Sequence, residues 1–186
     1  MTGPGLLVHA TAIRLAVDPD GPLCGICFIG PPGSGKSLTA FEALAACPYG
    51  KSELIADDAL VLFQHKSEGV LAQHPAAPIA TSTAKDGPAL ELRGSGILRF
   101  PSPQESRPCS LKYAVRRCAL PGNRTDESLS TSTGRLPPDG VWAPFGQAGP
   151  SLPLLQLHNG GALRLLVRSL LTGHSLQGGF DSISVS

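Results

Sequence analysis

The sequence has little of what nucleic-acid-binding and membrane-bound proteins require. Its 186 residues carry fifteen basic and fourteen acidic side chains, a net charge of +1, and only 5% are aromatic. Such a chain lacks both the basic surface that attracts nucleic acid or anionic lipid and the rings on which bases stack. No apolar run approaches the ~20 residues of a membrane span, and the amino terminus does not resemble a signal peptide. We therefore expect a cytoplasmic protein with no nucleic-acid or membrane partner.

Charged residues are also scarce, at 16%, while apolar residues reach 41%. This balance predicts a folded core, and the length fits one domain over residues 1–186.

The five cysteines are odd in number and scattered, so they do not form a disulfide framework. Cys24 and Cys27 have the C-x-x-C spacing of redox and zinc sites, but they lie in an apolar run typical of a strand. Residues i and i+3 of a strand face opposite sides, which favours buried cysteines over a redox or metal site.

Hydrophobic periodicity predicts that nearly all the regular patterning lies in the first hundred residues. We expect strands at 6–17 (a strand or hairpin arm), 23–29, 53–56, 60–64, 69–73, 90–93 and 113–120, with 60–64 and 69–73 as a hairpin. Helices are predicted at 36–46 and, from an amphipathic pattern followed by Gly173, at 162–171. Residues 101–110 are predicted to be an exposed connection. Residues 121–153, rich in Pro, Gly, Ser and Thr, predict a mobile or substrate-binding loop.

The most informative segment is residues 30–37, G-P-P-G-S-G-K-S, which fits the phosphate-binding pattern G-x-x-x-x-G-K-[ST]. It follows an apolar strand and opens a helix, the arrangement in which backbone N–H groups converge on phosphates. Lys36 would bridge the β- and γ-phosphates, and Ser37 would bind Mg²⁺. The alternative is a Gly/Pro turn that matches the pattern by chance. The predicted nucleotide-binding residues are Gly30, Pro31, Pro32, Gly33, Ser34, Gly35, Lys36 and Ser37.

Two adjacent carboxylates, Asp57 and Asp58, follow the predicted strand at 53–56. Strand ends gather near the phosphate loop in open α/β sheets, so both side chains can reach the Mg²⁺–phosphate region. One acid can hold the metal while the other accepts a proton from an attacking hydroxyl. Because neighbouring strand residues face opposite ways, the turn must begin between them if both are to serve one metal. The alternative is a pair that only forms a turn or helix cap.

With these residues placed, the chain resembles the short form of bacterial HPr kinase/phosphorylase, which consists of the catalytic domain alone. That family phosphorylates a serine on the small phosphocarrier protein HPr. The resemblance covers about residues 8–100 and rests on four segments in order. They are His9-Ala10, the phosphate loop, residues 54–58, and residues 90–97, which read L-E-L-R-G-S-G-I.

The resemblance implies an α/β fold of the HPr kinase and PEP carboxykinase type, with the phosphate loop on a mixed, twisted sheet. It also implies a ring-shaped homohexamer, ATP and Mg²⁺ as cofactors, and an HPr-like phosphocarrier as partner. Its implied catalytic residues are Asp58 as base, His9 beside it to tune its protonation, Lys36, and Arg135 as the catalytic arginine. Its implied metal ligands are Ser37, Glu91 and Asp57. Arg93 would contact a phosphate or pair with a carboxylate.

We therefore predict a Mg²⁺·ATP-dependent protein serine kinase that acts on an HPr-like carrier. Two departures from the family pattern bear on this prediction: Arg135 has no acidic neighbour, and residues 159–162 (N-G-G-A) contain no arginine where the family has one tied to dephosphorylation. We do not expect phosphorylase activity. Two other functions stay open. One is a small-metabolite kinase with a lid from 121–153, and the other is a nucleotide-binding regulator with little turnover.

Overall fold

The computed structural model describes residues 4–75, 88–92, 94–100, 108–118 and 140–172. Within these ranges the chain forms eleven strands and two helices. The first half contains β1 (Leu6–Val8), β2 (Thr11–Ala16), β3 (Leu23–Ile29), α1 (Lys36–Ala45), β4 (Glu53–Ala56), β5 (Leu60–His65) and β6 (Gly69–Gln73). The second half contains β7 (Ala89–Leu92), β8 (Gly96–Arg99), β9 (Cys109–Arg117), β10 (Gly140–Trp142), β11 (Leu152–Leu157) and α2 (Leu163–Leu171).

Nine strands form one mixed, curled sheet in the order β1-β5-β6-β9-β3-β2-β4, with β11 on β9 and β10 on β11. On one side, β9 pairs with β3. On its other side, the first residues of β9 pair with β6 and the last residues pair with β11. β3, β9 and β11 run parallel. Their carboxyl ends therefore meet at one edge of the sheet, the edge where α/β proteins bind ligands. β7 and β8 form a separate antiparallel pair.

The apolar side chains of the sheet form two clusters, because successive residues of a strand point to opposite faces. In β3, Cys27 belongs to one cluster and Phe28 to the other. α1, α2 and β7 cover the Phe28 side. In α2, Leu163 and Val167 are buried and Leu165 is exposed, as the amphipathic pattern predicts. No helix among the described residues is long and apolar enough to cross a bilayer.

The structure confirms most of the predicted elements in the first half of the chain. β3 and β4 have the predicted bounds, α1 ends one residue early, and β5 and β6 form the predicted antiparallel hairpin. Cys24 and Cys27 lie buried in β3 and belong to different clusters, as the strand interpretation requires. Burial raises the pKa of the Cys24 thiol to about 11 and raises that of Cys27 as well. Both cysteines are therefore protonated core residues at neutral pH.

Predictions for the second half of the chain were partly wrong. β9 begins at Cys109, inside the predicted connection at 101–110, and β8 was not predicted. β10 and the start of β11 fall in the predicted loop at 121–153. Pro153 within β11 weakens the local strand signal. Pairing with β9, whose residues are distant in sequence, makes this segment a strand. Residues 119–139, including Arg135, and Gly173 lie outside the described residues.

Candidate functional site

The loop between β3 and α1 is shaped by its glycines. Gly30, Gly33 and Gly35 all have positive φ, of 147°, 79° and 85°, a conformation that residues with a Cβ rarely adopt. At Gly35 a Cβ would also approach Cδ of Arg117 to 3.0 Å. Gly35 caps the start of α1, whose first turn contains no acidic residue and has no side-chain cap. The N–H groups at this helix end are therefore available to an anion.

Lys36 is only 6% exposed, and its ammonium donates hydrogen bonds to the carbonyls of Gly30 and Pro31, both at 3.2 Å. The charge is thus held inside the loop. Two buried side-chain atoms in the described part of the chain make no hydrogen bond, and both border this loop: Oγ of Ser34 and Nη1 of Arg117. Nη1 of Arg117 still lies 3.7 Å from a carboxylate oxygen of Glu42, so Oγ of Ser34 is the atom without a partner. Buried polar atoms of that kind are uncommon in folded proteins. The position of the Ser34 hydroxyl suits a loop whose partner is a bound phosphate.

Asp57 accepts three hydrogen bonds from three different elements. Its Oδ1 accepts from Thr11 Oγ1 in β2 at 2.6 Å and from Ser37 Oγ in α1 at 2.9 Å. Its Oδ2 accepts from the backbone N–H of Glu91 in β7 at 3.2 Å. The carboxylate therefore lies directly beside Ser37, the hydroxyl predicted to bind Mg²⁺. This is the arrangement in which a serine oxygen can face a metal while its hydrogen faces the acid.

An irregularity in the β2–β4 pairing determines where Asp57 lies. Ala12 pairs with Ala56, but Ile13 pairs with Leu54, so Ile55 has no partner of its own. An extra residue of this kind bends a strand and redirects the residues that follow it. Asp57 follows Ala56 and Thr11 precedes Ala12, so Asp57 lies directly across from Thr11 in this antiparallel pair. Directly opposed side chains on neighbouring strands are close enough to contact each other. The bulge therefore places the carboxylate over the start of α1.

Asp58 differs from Asp57 in both backbone and environment. Its φ is 63°, and it is the one non-glycine residue with positive φ in the described part of the chain. Its side chain is 62% exposed. His9 Nδ1 lies 2.9 Å from the Asp58 backbone carbonyl and 3.9 Å from its Oδ1. Since a carbonyl only accepts, this His9 nitrogen carries the hydrogen. The backbone N–H of Ala59 donates to the Asp57 carbonyl at 2.7 Å, so Asp58 is the middle residue of a tight turn that begins at Asp57. Such strained residues cluster at functional sites.

The structure brings most of the predicted site residues to one edge of the sheet. Ser37 lies beside Asp57, Lys36 precedes Ser37 and contacts the loop carbonyl of Gly30, and His9 lies beside Asp58. Glu91 contacts Asp57 through its backbone amide, while its own side chain is exposed. No three acidic, histidine or cysteine side chains converge as a metal cage among the described residues. Arg93 and Arg135 lie outside the described residues.

The residues present fit Mg²⁺ bound together with a nucleotide. Magnesium commonly takes one or two protein oxygen ligands and completes its shell with substrate phosphates and water. The Ser37 hydroxyl and the Asp57 carboxylate, 2.9 Å apart beside the phosphate loop, are such a pair. A site of this kind needs no cage of three acidic side chains.

Sequence reasoning missed three side chains at this edge: Thr11, Glu42 and Arg117. Nη1 of Arg117, at the end of β9, lies 3.7 Å from Oε1 of Glu42 in α1. The other oxygen of Glu42 accepts the N–H of Gly160 at 2.6 Å. These contacts connect the phosphate-loop helix to the ends of β9 and β11. The position of Arg117 as a basic residue at the end of an apolar strand could have indicated it from the sequence. Its pairing with Glu42 could not be inferred in that way.

Comparison with known proteins reveals a similar fold and no similar sequence. No family model and no curated protein matches the chain. Among solved structures, the HPr(Ser) kinase/phosphatase from Coxiella burnetii matches with a TM-score of 0.54 and 17% identity, over 91% of this chain and 95% of that one. The two chains share a fold. The predicted α/β class, with a phosphate loop on a mixed, curled sheet as in HPr kinases, is thereby confirmed.

Proposed function

We propose that the protein is a Mg²⁺·ATP-dependent kinase that transfers a phosphoryl group to a serine of an HPr-like phosphocarrier. The observation that carries this proposal is the hydrogen bond between Ser37 and Asp57, with the exposed carboxylate of Asp58 next in the chain. Phosphoryl transfer needs both a metal-binding pair and a base that can meet the acceptor hydroxyl. The shared fold with a protein named HPr(Ser) kinase/phosphatase supports the choice of acceptor.

Each group of the phosphate loop has a role in binding the nucleotide. The N–H groups at the start of α1 would bind phosphate oxygens, and Lys36 would exchange its two carbonyl partners for them. Ser37 would contact Mg²⁺ directly, and Asp57 directly or through water, with Glu91 completing the metal side. When bound, Mg²⁺ neutralises charge on the transferring phosphoryl group.

Asp58 is the better candidate for the base. Three hydrogen bonds already occupy Asp57, whereas the Asp58 side chain is largely exposed to solvent and to an approaching protein. Asp58 would accept the proton of the serine hydroxyl as its oxygen attacks the γ-phosphorus in line with the departing ADP oxygen. His9 would fix the strained backbone of Asp58 through the carbonyl that it contacts. Arg135 remains a proposed catalytic residue on the strength of the resemblance.

One observation favours a second function, a nucleotide-binding regulator with little turnover. The segment at 159–162 contains no arginine, and its Gly160 is packed against α1 with its N–H bonded to Glu42. By the resemblance, this segment corresponds to one in which the family has an arginine tied to dephosphorylation. For the kinase, the same observation predicts a forward reaction without phosphorylase activity.

We further propose that the protein works in the cytoplasm as a homo-oligomer.

The test is incubation of the protein with Mg²⁺·ATP and an HPr-type phosphocarrier, followed by mass spectrometry of the carrier. We expect the carrier to gain one phosphoryl group on a serine, and Lys36→Ala to abolish the gain. Binding of Mg²⁺·ATP without any modification of the carrier would instead indicate the regulator. Transfer to a small metabolite but not to the carrier would indicate a metabolite kinase.

A further inference from the structure

Thr11 is a buried polar residue that the proposed mechanism has not used. Its exposure is 0%, at the start of β2, where the other buried residues are mostly apolar. A buried hydroxyl is costly unless it is hydrogen-bonded. The Thr11 hydroxyl donates to Oδ1 of Asp57 at 2.6 Å, the shortest of the three hydrogen bonds that this carboxylate accepts. The hydroxyl hydrogen of Thr11 is therefore used in the hydrogen bond to Asp57.

The other donors show what this hydrogen bond accomplishes. Oδ1 accepts from both Thr11 and Ser37, while the backbone N–H of Glu91 holds Oδ2. Ser37 belongs to the phosphate loop and must reorient when a metal binds, but Thr11 lies in β2, which is paired on both sides by β3 and β4 and does not reorient. Thr11 is thus the rigid donor that keeps Oδ1 in place while Ser37 adjusts. Groups that orient a metal-side carboxylate in this way commonly affect metal affinity 10–100-fold.

We propose that Thr11 is a positioning residue for Asp57 and that its hydroxyl sets the Mg²⁺ dependence of nucleotide binding. This inference rests on the proposed function, because it assigns Asp57 to the metal side of a nucleotide site. Thr11 itself touches neither metal nor nucleotide. It acts by holding Oδ1 of Asp57 in place beside Ser37, so that this metal ligand is already oriented before Mg²⁺ arrives.

The experiment compares Thr11→Val, which keeps the branched shape and loses the hydroxyl, with Thr11→Ser, which keeps the hydroxyl. ATP binding is measured by isothermal titration calorimetry over a series of Mg²⁺ concentrations, and with EDTA in place of the metal. We expect Thr11→Val to raise the Mg²⁺ concentration for half-maximal binding about 10-fold or more. Thr11→Ser should remain near wild type, and binding in EDTA should be the same in all variants.

The matched control is Ser110→Ala, which removes a hydroxyl bonded to the Glu68 carbonyl at the other end of the sheet. It should leave the Mg²⁺ dependence unchanged. Unchanged Mg²⁺ dependence in Thr11→Val would overturn the proposal, and so would an equal loss in Thr11→Val and Thr11→Ser, which would mean that packing matters and the hydroxyl does not. If Thr11→Val does not fold, Thr11→Ala takes its place as the variant without the hydroxyl: a higher half-maximal Mg²⁺ concentration in Thr11→Ala than in Thr11→Ser supports the proposal, and equal Mg²⁺ dependence in the two overturns it.

The calorimetric Mg²⁺ dependence tests the role of Thr11 separately from the proposed kinase activity. Intact Mg²⁺·ATP binding with no transfer to a carrier would contradict the kinase activity and leave the role of Thr11 standing. Failure of the wild-type protein to bind Mg²⁺·ATP would overturn both. The calorimetric series therefore needs no phosphoacceptor.

Discussion

β2 and β4 are joined by a polar pair at each end, and the two pairs differ in charge. At the phosphate-loop end, Thr11 donates to Asp57. At the other end, Arg14 donates to Glu53 at 3.0 Å, with both side chains largely buried. Arg14 and Glu53 neutralise each other. The hydrogen-bond donors to Asp57, by contrast, are two hydroxyls and a backbone amide, all uncharged.

Under the proposed function, this difference gives the sheet a structural end at Arg14–Glu53 and a reactive end at the phosphate loop. In a buried ion pair the two charges neutralise each other, so the pair orders the strands and leaves no net charge for a ligand. A carboxylate held only by neutral donors is oriented but keeps its negative charge, which is what a divalent cation requires. Substitutions at the phosphate-loop end should therefore change activity more than stability, and those at the Arg14–Glu53 end the reverse.

The largest expected effect is on catalysis at the reactive end. Asp58→Asn should lower the rate of transfer to the carrier ~10²–10⁴-fold, because a general base acts in the transition state. Nucleotide affinity by calorimetry should stay nearly unchanged, since the proposed base acts on the acceptor's proton and not on bound ATP. Asp57→Asn is the comparison variant and should weaken Mg²⁺·ATP binding. If Asp57→Asn loses transfer with normal affinity while Asp58→Asn keeps most of its rate, the two roles are reversed.

The second effect is on stability at the structural end. Glu53→Gln leaves Arg14 buried without its ionised partner, and breaking one side of a buried pair costs about 3 kcal/mol or more of unfolding free energy. Urea denaturation should show the midpoint shift, while Mg²⁺·ATP affinity of the folded variant stays at the wild-type value. A large loss of affinity with little change in stability would mean that this pair serves the site.

A third effect concerns cysteine reactivity away from the site. Burial raises the pKa of Cys24 to about 11. Burial also opposes the thiolate of Cys47, but hydrogen bonds from Ser52 and nearby backbone lower its pKa overall. Iodoacetamide at pH 8, read by peptide mass spectrometry, should therefore label Cys47 well before Cys24. Labelling of Cys24 at an equal rate in the folded protein would contradict its burial.

The same thiol gives a pH dependence of stability. Cys24 has a folded-state pKa above the ordinary value of 9.0, so the unfolded chain loses this proton first. The contribution of Cys24 is therefore complete below about pH 9 and is lost as the pH rises toward about 11. Denaturation of the wild type and Cys24→Ala over this range should show a steeper fall for the wild type.

The smallest effect is expected on the surface of α2. Arg168 pairs with Asp18 at 3.1 Å, with both side chains about half exposed. Exposed pairs of this kind contribute less than ~1 kcal/mol. Arg168→Gln should change the unfolding free energy by no more than this, and 1 M salt should erase the difference. A loss as large as that of Glu53→Gln would contradict the contrast between surface and buried pairs.

The reactive end was predictable where its signal is local in sequence. Strand, glycine-rich loop and helix follow one another between β3 and α1, and the aspartates follow β4 directly, so pattern and spacing identified them. The Thr11–Asp57 hydrogen bond depends on strand pairing across 46 positions and on a bulge at Ile55. Arg117 reaches Gly35 only because β9 pairs with β3. Such contacts arise from tertiary pairing, which local propensity does not determine.

The central claim is that residues 30–37 bind the phosphates of Mg²⁺·ATP. Isothermal titration calorimetry of wild type, Lys36→Ala and the matched control Lys51→Ala, an exposed lysine near Asp20, tests it directly. We predict saturable Mg²⁺-dependent binding by wild type and Lys51→Ala, and a loss of about tenfold or more in Lys36→Ala, as expected when a charged group loses its phosphate partner. Equal affinity in wild type and Lys36→Ala would contradict the account.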